Sequence, residues 1–151
     1  MKPIDIDHGS QRELERVIRD RGWTDGLPVH IPTTERVDEF IAASGMRADQ
    51  VIGHVAPQGG LATIGLIAVN AVMAGCEPEH LPVVVAAVRA LLKEPFNLYL
   101  AQVTTNPVAP LAVVNGPVRH SAGLRWGRDA LSPGPGGNGP IGRAIRFVLR
   151  N

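Results

Sequence analysis

The chain contains few of the residues that stabilise or localise a protein by special means. Cys76 is the one cysteine among 151 residues, so no disulfide can form within the chain, and a reducing cytoplasm is the expected compartment. Aromatic residues make up 4% of the sequence, which leaves a core of aliphatic side chains. No apolar run reaches the ~18 residues of a membrane-spanning helix, and residues 1–16 are too acidic and polar for a signal peptide.

Neither sign of charge dominates. Lys and Arg number 15 against 14 Asp and Glu, a net charge of +1. Extended binding along a nucleic acid needs a basic surplus, so we expect no nucleic-acid partner, and without a long apolar run we expect no membrane partner. The length corresponds to one domain, over residues 1–151.

What the chain has in excess is turn residues, with 17 Gly and 13 Pro that divide it into apolar segments. A second helix is expected to start at a cap on Thr33 or Thr34 and to end at Gly45. Residues 1–9 are expected to form a loosely ordered arm, and 116–139 a long irregular loop. The remaining expected helices are 10–21, 62–74, about 79–93 and about 140–150, and the expected strands are 51–55, 98–104 and 111–114.

The segment 62–74 is almost wholly apolar, and a helix that is apolar all round is buried all round. With 79–93 it predicts a buried helical hairpin at the centre of the fold. We therefore expect a single α/β or α+β domain, in which this hairpin packs on a small mixed sheet. Helices without a polar face in so short a chain also predict an oligomer.

Several strings of the sequence point to one known family. They are Trp23–Val29 (WTDGLPV), Pro32–Val37 (PTTERV), Asn70–Glu79 (NAVMAGCEPE), Thr104-Thr105, Asn115–Pro117 (NGP) and Ile141–Ala144 (IGRA). Together they resemble the domain that accompanies the UGSC domain in the UGSC selenoproteins and their cysteine homologues. The similarity covers roughly residues 20–150.

The UGSC motif itself pairs a selenocysteine or cysteine with a second cysteine. It is similar to the selenocysteine region of glycine-reductase-type enzymes, which cleave carbon–heteroatom bonds reductively. These 151 residues contain no UGSC motif, so the resemblance implies a companion subunit whose partner carries the thiol or selenol. One departure affects the chemistry: where the family has an acidic residue after the threonine that precedes NAVMAGC, Thr63 is followed here by Ile64 and Gly65.

Cys76 is the first candidate for chemistry. It follows Gly75 and precedes a new helix, whose backbone N–H groups could stabilise a thiolate. His80, one turn later, could orient or deprotonate the thiol. Glu77 and Glu79 would instead raise the pKa of the thiol, and the alternative is a small buried cysteine in a tight elbow.

A metal site is a second possibility at the same place. Cys76 and His80 form half of a ligand set that His54 or His120 could complete. No compact second ligand pair accompanies them, so ordinary surface histidines are favoured and no metal is expected.

The other candidate residues lie in turns. Asp25 follows Thr24 in a Thr-Asp-Gly sequence, and it forms either an Asx turn or an acid–base group in a pocket. Thr104 and Thr105 follow an expected strand, where they either hold a polar substrate or end the strand before a turn. Asn70, inside an apolar helix, must find hydrogen-bond partners, either on a nearby loop or in the active site.

The Gly-rich segment 134–140 contains a formal G-x-G-x-x-G pattern. It lacks the preceding strand of a dinucleotide-binding fold, so we reject that assignment. The free N–H groups around Asn138 and Gly139, with Arg143 one turn on, could still bind a carboxylate or phosphate. The alternative is a flexible loop with a solvated arginine.

The leading functional hypothesis is a subunit of a cysteine-dependent enzyme acting on a small polar or anionic substrate. Its catalytic residues are Cys76, Asp25 and His80, and its substrate-binding residues are Thr104, Thr105, Asn138, Gly139 and Arg143. The resemblance implies reductase- or lyase-type cleavage of a carbon–heteroatom bond; no cofactor can be named. The alternatives are a non-catalytic accessory subunit that completes a partner's active site, and a metal-dependent hydrolase or lyase. The expected partner is a second copy of the chain or a UGSC-type subunit.

Overall fold

Helices dominate the fold, and one β-hairpin accompanies them. The computed structural model describes residues 10–131 and 134–151. Within that part of the chain the elements are α1 (Gln11–Asp20), α2 (Thr34–Ser44), β1 (Val51–Val55), β2 (Gly60–Thr63), α3 (Ile64–Ala74), α4 (Leu81–Leu91), α5 (Leu98–Val103), α6 (Val118–Ser121) and α7 (Asn138–Arg150). Short 3₁₀ turns occupy Pro78–His80, Glu94–Phe96 and Gly127–Asp129. The α+β class and the single domain are confirmed.

Local sequence determines where the long helices begin and end. The Ser10 N–H donates to the Glu13 carboxylate at 2.7 Å, which completes the expected capping box of α1. The Thr63 hydroxyl accepts the Leu66 N–H at 3.2 Å and caps α3. Helix α3 ends at Gly75, which has a left-handed φ of 85° that glycine adopts without steric cost.

Helix α3 lies at the centre of the domain. It packs against α7, α2 and α4, so all its faces contact other elements. Ile64, Ile67, Ala68 and Ala71 are inaccessible to solvent, and so is Phe147 of α7. The predicted central hairpin of two buried helices is confirmed as α3 and α4, and α7 covers it.

The sheet is a two-stranded antiparallel hairpin. Strand β1 pairs with β2 from Val51 opposite Thr63 to Val55 opposite Gly60, with a bulge between Val51 and Gly53. Strand β1 has the predicted bounds. The first two residues of the expected helix 62–74 belong instead to β2, because α3 begins only after the Thr63 cap.

Two predicted strands are wrong. Of the expected strand 98–104, Leu98–Val103 forms helix α5, which Asn97 starts by accepting the Leu100 N–H on its side-chain oxygen at 3.3 Å. Residues 111–114 form neither a helix nor a strand of the described sheet. The pattern of a short apolar run fits a helix and a strand equally well, and at residues 98–103 the Asn97 cap stabilises the helix.

The regions expected to be irregular are partly described. The prediction of a loose arm at residues 1–9 lies outside the described residues. The stretch 116–139 contains α6 and the Gly127–Asp129 turn, and α7 starts at Asn138, two residues before the expected position. Across the described residues, every helix is too short or too polar to cross a membrane.

Candidate functional site

Asp25 and Arg143 are joined directly. Arg143 Nε and Nη2 donate to the two oxygens of Asp25, each at 2.8 Å. Nη2 also donates to the Pro28 carbonyl at 2.9 Å and to the Leu27 carbonyl at 3.3 Å. Asp25, predicted to be catalytic, therefore binds Arg143, predicted to bind substrate. This ion pair attaches the turn after Thr24 to α7.

The same contacts account for the charge state of the pair. The hydrogen bonds from Arg143 lower the pKa of Asp25 from 3.8 to about 2, and the Leu27 N–H and the Thr24 hydroxyl act in the same direction. The Leu27 N–H donates to Asp25 Oδ1 at 3.1 Å, as an Asx turn requires. Asp25 is thus an ionised, partnered carboxylate, and general-base work on a substrate would require it to leave its partner.

Cys76 lies buried at the end of α3. The residue is 7% exposed, and its N–H donates to the Ala71 carbonyl of that helix at 3.0 Å. Burial, and then the charge of Glu77, raise the pKa of the thiol to about 12. The thiol therefore carries its proton at neutral pH.

His80 is engaged with the backbone. Its Nδ1 accepts the Glu77 N–H at 3.0 Å, which makes the nitrogen an acceptor already in use. Burial lowers the pKa of His80, while Glu77, Glu79 and a hydrogen bond with the Ala122 backbone act against this. The imidazole stabilises the elbow between α3 and α4, and the Nδ1 lone pair is not available to take a proton from Cys76.

Asn138 and Gly139 begin α7. The Asn138 side-chain oxygen accepts the Arg125 N–H at 2.7 Å, and its Nδ2 donates to the carbonyls of Arg125 at 3.1 Å and Ala130 at 2.9 Å. All these bonds hold the loop before α7. Gly139 is exposed, and nothing lies within 4 Å of the position its Cβ would take.

Thr104 and Thr105 follow helix α5, not a strand. The Thr104 hydroxyl accepts the Asn106 N–H at 3.2 Å, a turn contact, and Thr105 is exposed. Thr104 and Asn106 line a cavity of about 460 Å³ with Gln102 and Arg146. The structure therefore does not bring these threonines to Asn138 or Arg143 through any hydrogen bond among the described residues.

Asn70 binds a neighbouring segment. Its Nδ2 donates to the Leu66 carbonyl at 2.8 Å, and its side-chain oxygen accepts from Asn151 Nδ2 at 2.8 Å. Asn151 Nδ2 also lies 3.2 Å from the Trp23 carbonyl. The buried amide links α3 to the loop after α1, the first of the two expected alternatives.

An open groove, which sequence reasoning missed, lies between α1, the segment 28–31 and the start of α2. Its volume is about 580 Å³, and its polar lining includes Gln11, Glu15, His30, Thr33, Arg36 and Arg143. Val29 is buried, so His30, its neighbour in the chain, turns to the outer side. In the sequence, the one signal for His30 was its place in a short segment between Pro28 and Pro32.

The arrangement of side chains does not support metal binding by Cys76 and His80. In residues 10–131 and 134–151, no three His, Cys, Asp or Glu side chains are placed to share a metal ion. The chain matches no protein-family model, and no curated protein or solved structure is significantly similar to it.

Proposed function

We propose that this chain is a non-catalytic accessory subunit that completes the active site of a partner enzyme. The observation that carries the proposal is the state of Cys76, a buried thiol whose pKa is raised to about 12. A nucleophilic cysteine needs an accessible thiolate. The covalent or redox step then belongs to the partner.

The other predicted catalytic groups support the same assignment. Asp25 is neutralised by Arg143, and His80 Nδ1 is occupied by a backbone N–H. The acidic residue that the resembled family has after the threonine that precedes NAVMAGC is missing here, because Ile64 and Gly65 follow Thr63. Each group that would move a proton is either bound within the fold or absent.

In this proposal, the side chains of the open groove complete the partner's active site. Arg36 and His30 present a cationic and a hydrogen-bonding side chain at its wall, and Glu15 balances the charge. Such a lining suits a small polar or anionic substrate. The resemblance to the UGSC companion domain suggests a cytoplasmic partner with a cysteine or selenocysteine, and cleavage of a carbon–heteroatom bond as its reaction.

The test is turnover by the reconstituted complex with a UGSC-type subunit. Cys76→Ala is expected to leave the turnover unchanged, whereas His30→Ala and Arg36→Ala are expected to lower it. Arg89→Ala, on the exposed side of α4, is the matched control for loss of an arginine. Loss of turnover in a folded Cys76→Ala variant would overturn the proposal and favour the cysteine-dependent enzyme with Asp25 and His80 as proton carriers.

A further inference from the structure

One long segment of the chain carries no charge. Residues 95–118 contain no Asp, Glu, Lys, Arg or His, although charged residues make up 19% of the whole sequence. A surface segment normally includes charges that keep the protein soluble and separate from its copies. Their absence here indicates a surface that is covered in the functional state.

The side chains of this segment are apolar and exposed. Leu111 is 73% exposed and Val113 is 75% exposed, while Val114 packs against the core. Further exposed apolar side chains of the same segment are Phe96, Tyr99, Leu100, Val103 and Val108. Exposed apolar groups gathered in one segment mark an interaction surface, whereas scattered ones need no explanation.

The backbone of the segment is also free to bind. Residues 107–115 follow a path without turn or bend, and none of the N–H or C=O groups of residues 109–115 has a hydrogen-bond partner among the described residues. The composition of 111–114, Leu-Ala-Val-Val, is typical of a β-strand. An unpaired segment of this kind is a template for the addition of another strand.

We propose that residues 109–115 pair antiparallel with the same residues of a second copy of this chain, about a two-fold axis at Ala112. The segment is neutral, so two copies meet without repulsion, and a partner bearing a charged strand would leave its charges unpaired. A pairing of identical segments also buries the same patch on both subunits, as two-fold dimers do.

The position of Pro110 determines which residues of the two strands exchange hydrogen bonds. With Ala112 opposite Ala112 in a non-hydrogen-bonded pair, Leu111 of one copy and Val113 of the other exchange two hydrogen bonds. Pro110, which lacks an N–H, then falls at a position that needs none. Leu111 of each copy then lies opposite Val113 of the other copy on one face of the sheet. The dimer therefore covers all four of these exposed side chains.

The experiment compares two double variants by light scattering after size exclusion and by sedimentation equilibrium. In the Leu111→Lys/Val113→Lys variant, each lysine of one copy lies opposite a lysine of the other copy. In the Leu111→Lys/Val113→Glu variant, each lysine of one copy lies opposite a glutamate of the other copy. The wild-type chain is expected to be a dimer at micromolar concentration, and the first variant a monomer. The second variant is expected to dimerise at least about tenfold more tightly than the first.

Leu131→Lys, at a residue that is 86% exposed and outside the segment, is the control and should remain a dimer. Circular dichroism of each variant verifies the fold. A monomeric wild-type chain, or an unaltered dimer in the lysine pair, would overturn the proposal. Equal dissociation of both double variants would overturn the register about Ala112, and binding of a different protein by a monomeric chain would assign the segment to that protein instead.

Discussion

The guanidinium of Arg143 lies between the carboxylate of Asp25 and the ring of Phe147. Two hydrogen bonds of 2.8 Å join it to Asp25, and its Cζ lies 4.9 Å from the centre of the Phe147 ring. The ion pair is largely shielded, with 20% of the Arg143 side chain and 29% of the Asp25 side chain exposed. Two residues expected to act on a substrate thus connect the turn after α1 to the last helix.

Asp25→Asn should lower the free energy of unfolding by about 1–2 kcal/mol at pH 7. This range allows for the partial exposure of the Asp25–Arg143 ion pair. The pKa of Asp25 is about 2 in the folded protein, against an ordinary value of 3.8. The ion pair therefore contributes fully above the ordinary value, and its contribution is lost as the pH falls through about 2. Urea unfolding across this range should show the gap between wild type and variant closing in acid. Asp38→Asn, at an exposed site in α2, is the control; a gap that persists unchanged in acid would contradict the assignment.

Cys76 should react with an aromatic disulfide reagent only as fast as the protein unfolds. The residue is 7% exposed and the pKa of its thiol is raised to about 12, so the folded protein offers little accessible thiolate. The pKa of an unfolded cysteine thiol has its ordinary value of 9.0, so above that pH the folded state retains a proton that the unfolded state releases. Stability should consequently fall as the pH rises above this value, and Cys76→Ala should remove that part of the alkaline loss. Rapid labelling of the native protein would show that the thiol is accessible.

The helix boundaries could be predicted because their causes are local. The Ser10–Glu13 capping box and the left-handed Gly45 and Gly75 each act within a few residues, whereas the Thr63 cap was missed and the start of α3 was placed two residues too early. The buried hairpin was equally clear, because α3 has no polar face. Helix α5 was mistaken for a strand because a six-residue apolar run has no decisive period.

The sequence indicated single candidate residues but not how the fold arranges them. Asp25 and Arg143 are 118 residues apart in the sequence, and nothing local indicates that each is the other's partner. The burial of Cys76 depends on how α3 meets its neighbours, which is a property of the tertiary packing. His30 was overlooked since its exposure follows from the burial of Val29 in a short segment outside any helix or strand.

Gly137→Ala should destabilise the protein by about 1–3 kcal/mol through overpacking. A Cβ at this position would clash with the Ala122 carbonyl oxygen, which belongs to the backbone, and would lie 3.1 Å from His80 Nε2. Gly142→Ala is the matched control, because Gly142 lies inside α7, the helix that Gly137 precedes, with nothing within 4 Å of its Cβ position. The control should be neutral or more stable by up to about 1 kcal/mol, from helix propensity. Thermal and urea unfolding of both variants measures the difference, and equal effects would contradict the close packing at Gly137.

Asn138→Ala should release the loop that precedes α7 without unfolding the helix core. The substitution removes one hydrogen bond from the Arg125 N–H and two to the carbonyls of Arg125 and Ala130. Trypsin cleaves after arginine, so the rate of cleavage after Arg125 and Arg128 reports directly on this loop. We expect several-fold faster cleavage there and a loss of stability of about 1–2 kcal/mol. Asn106→Ala, in an exposed turn, should change neither quantity. An unchanged cleavage rate in Asn138→Ala would mean that other contacts hold the loop and would leave the Asn138 side chain free to bind a substrate, as the Gly-rich sequence around it first suggested.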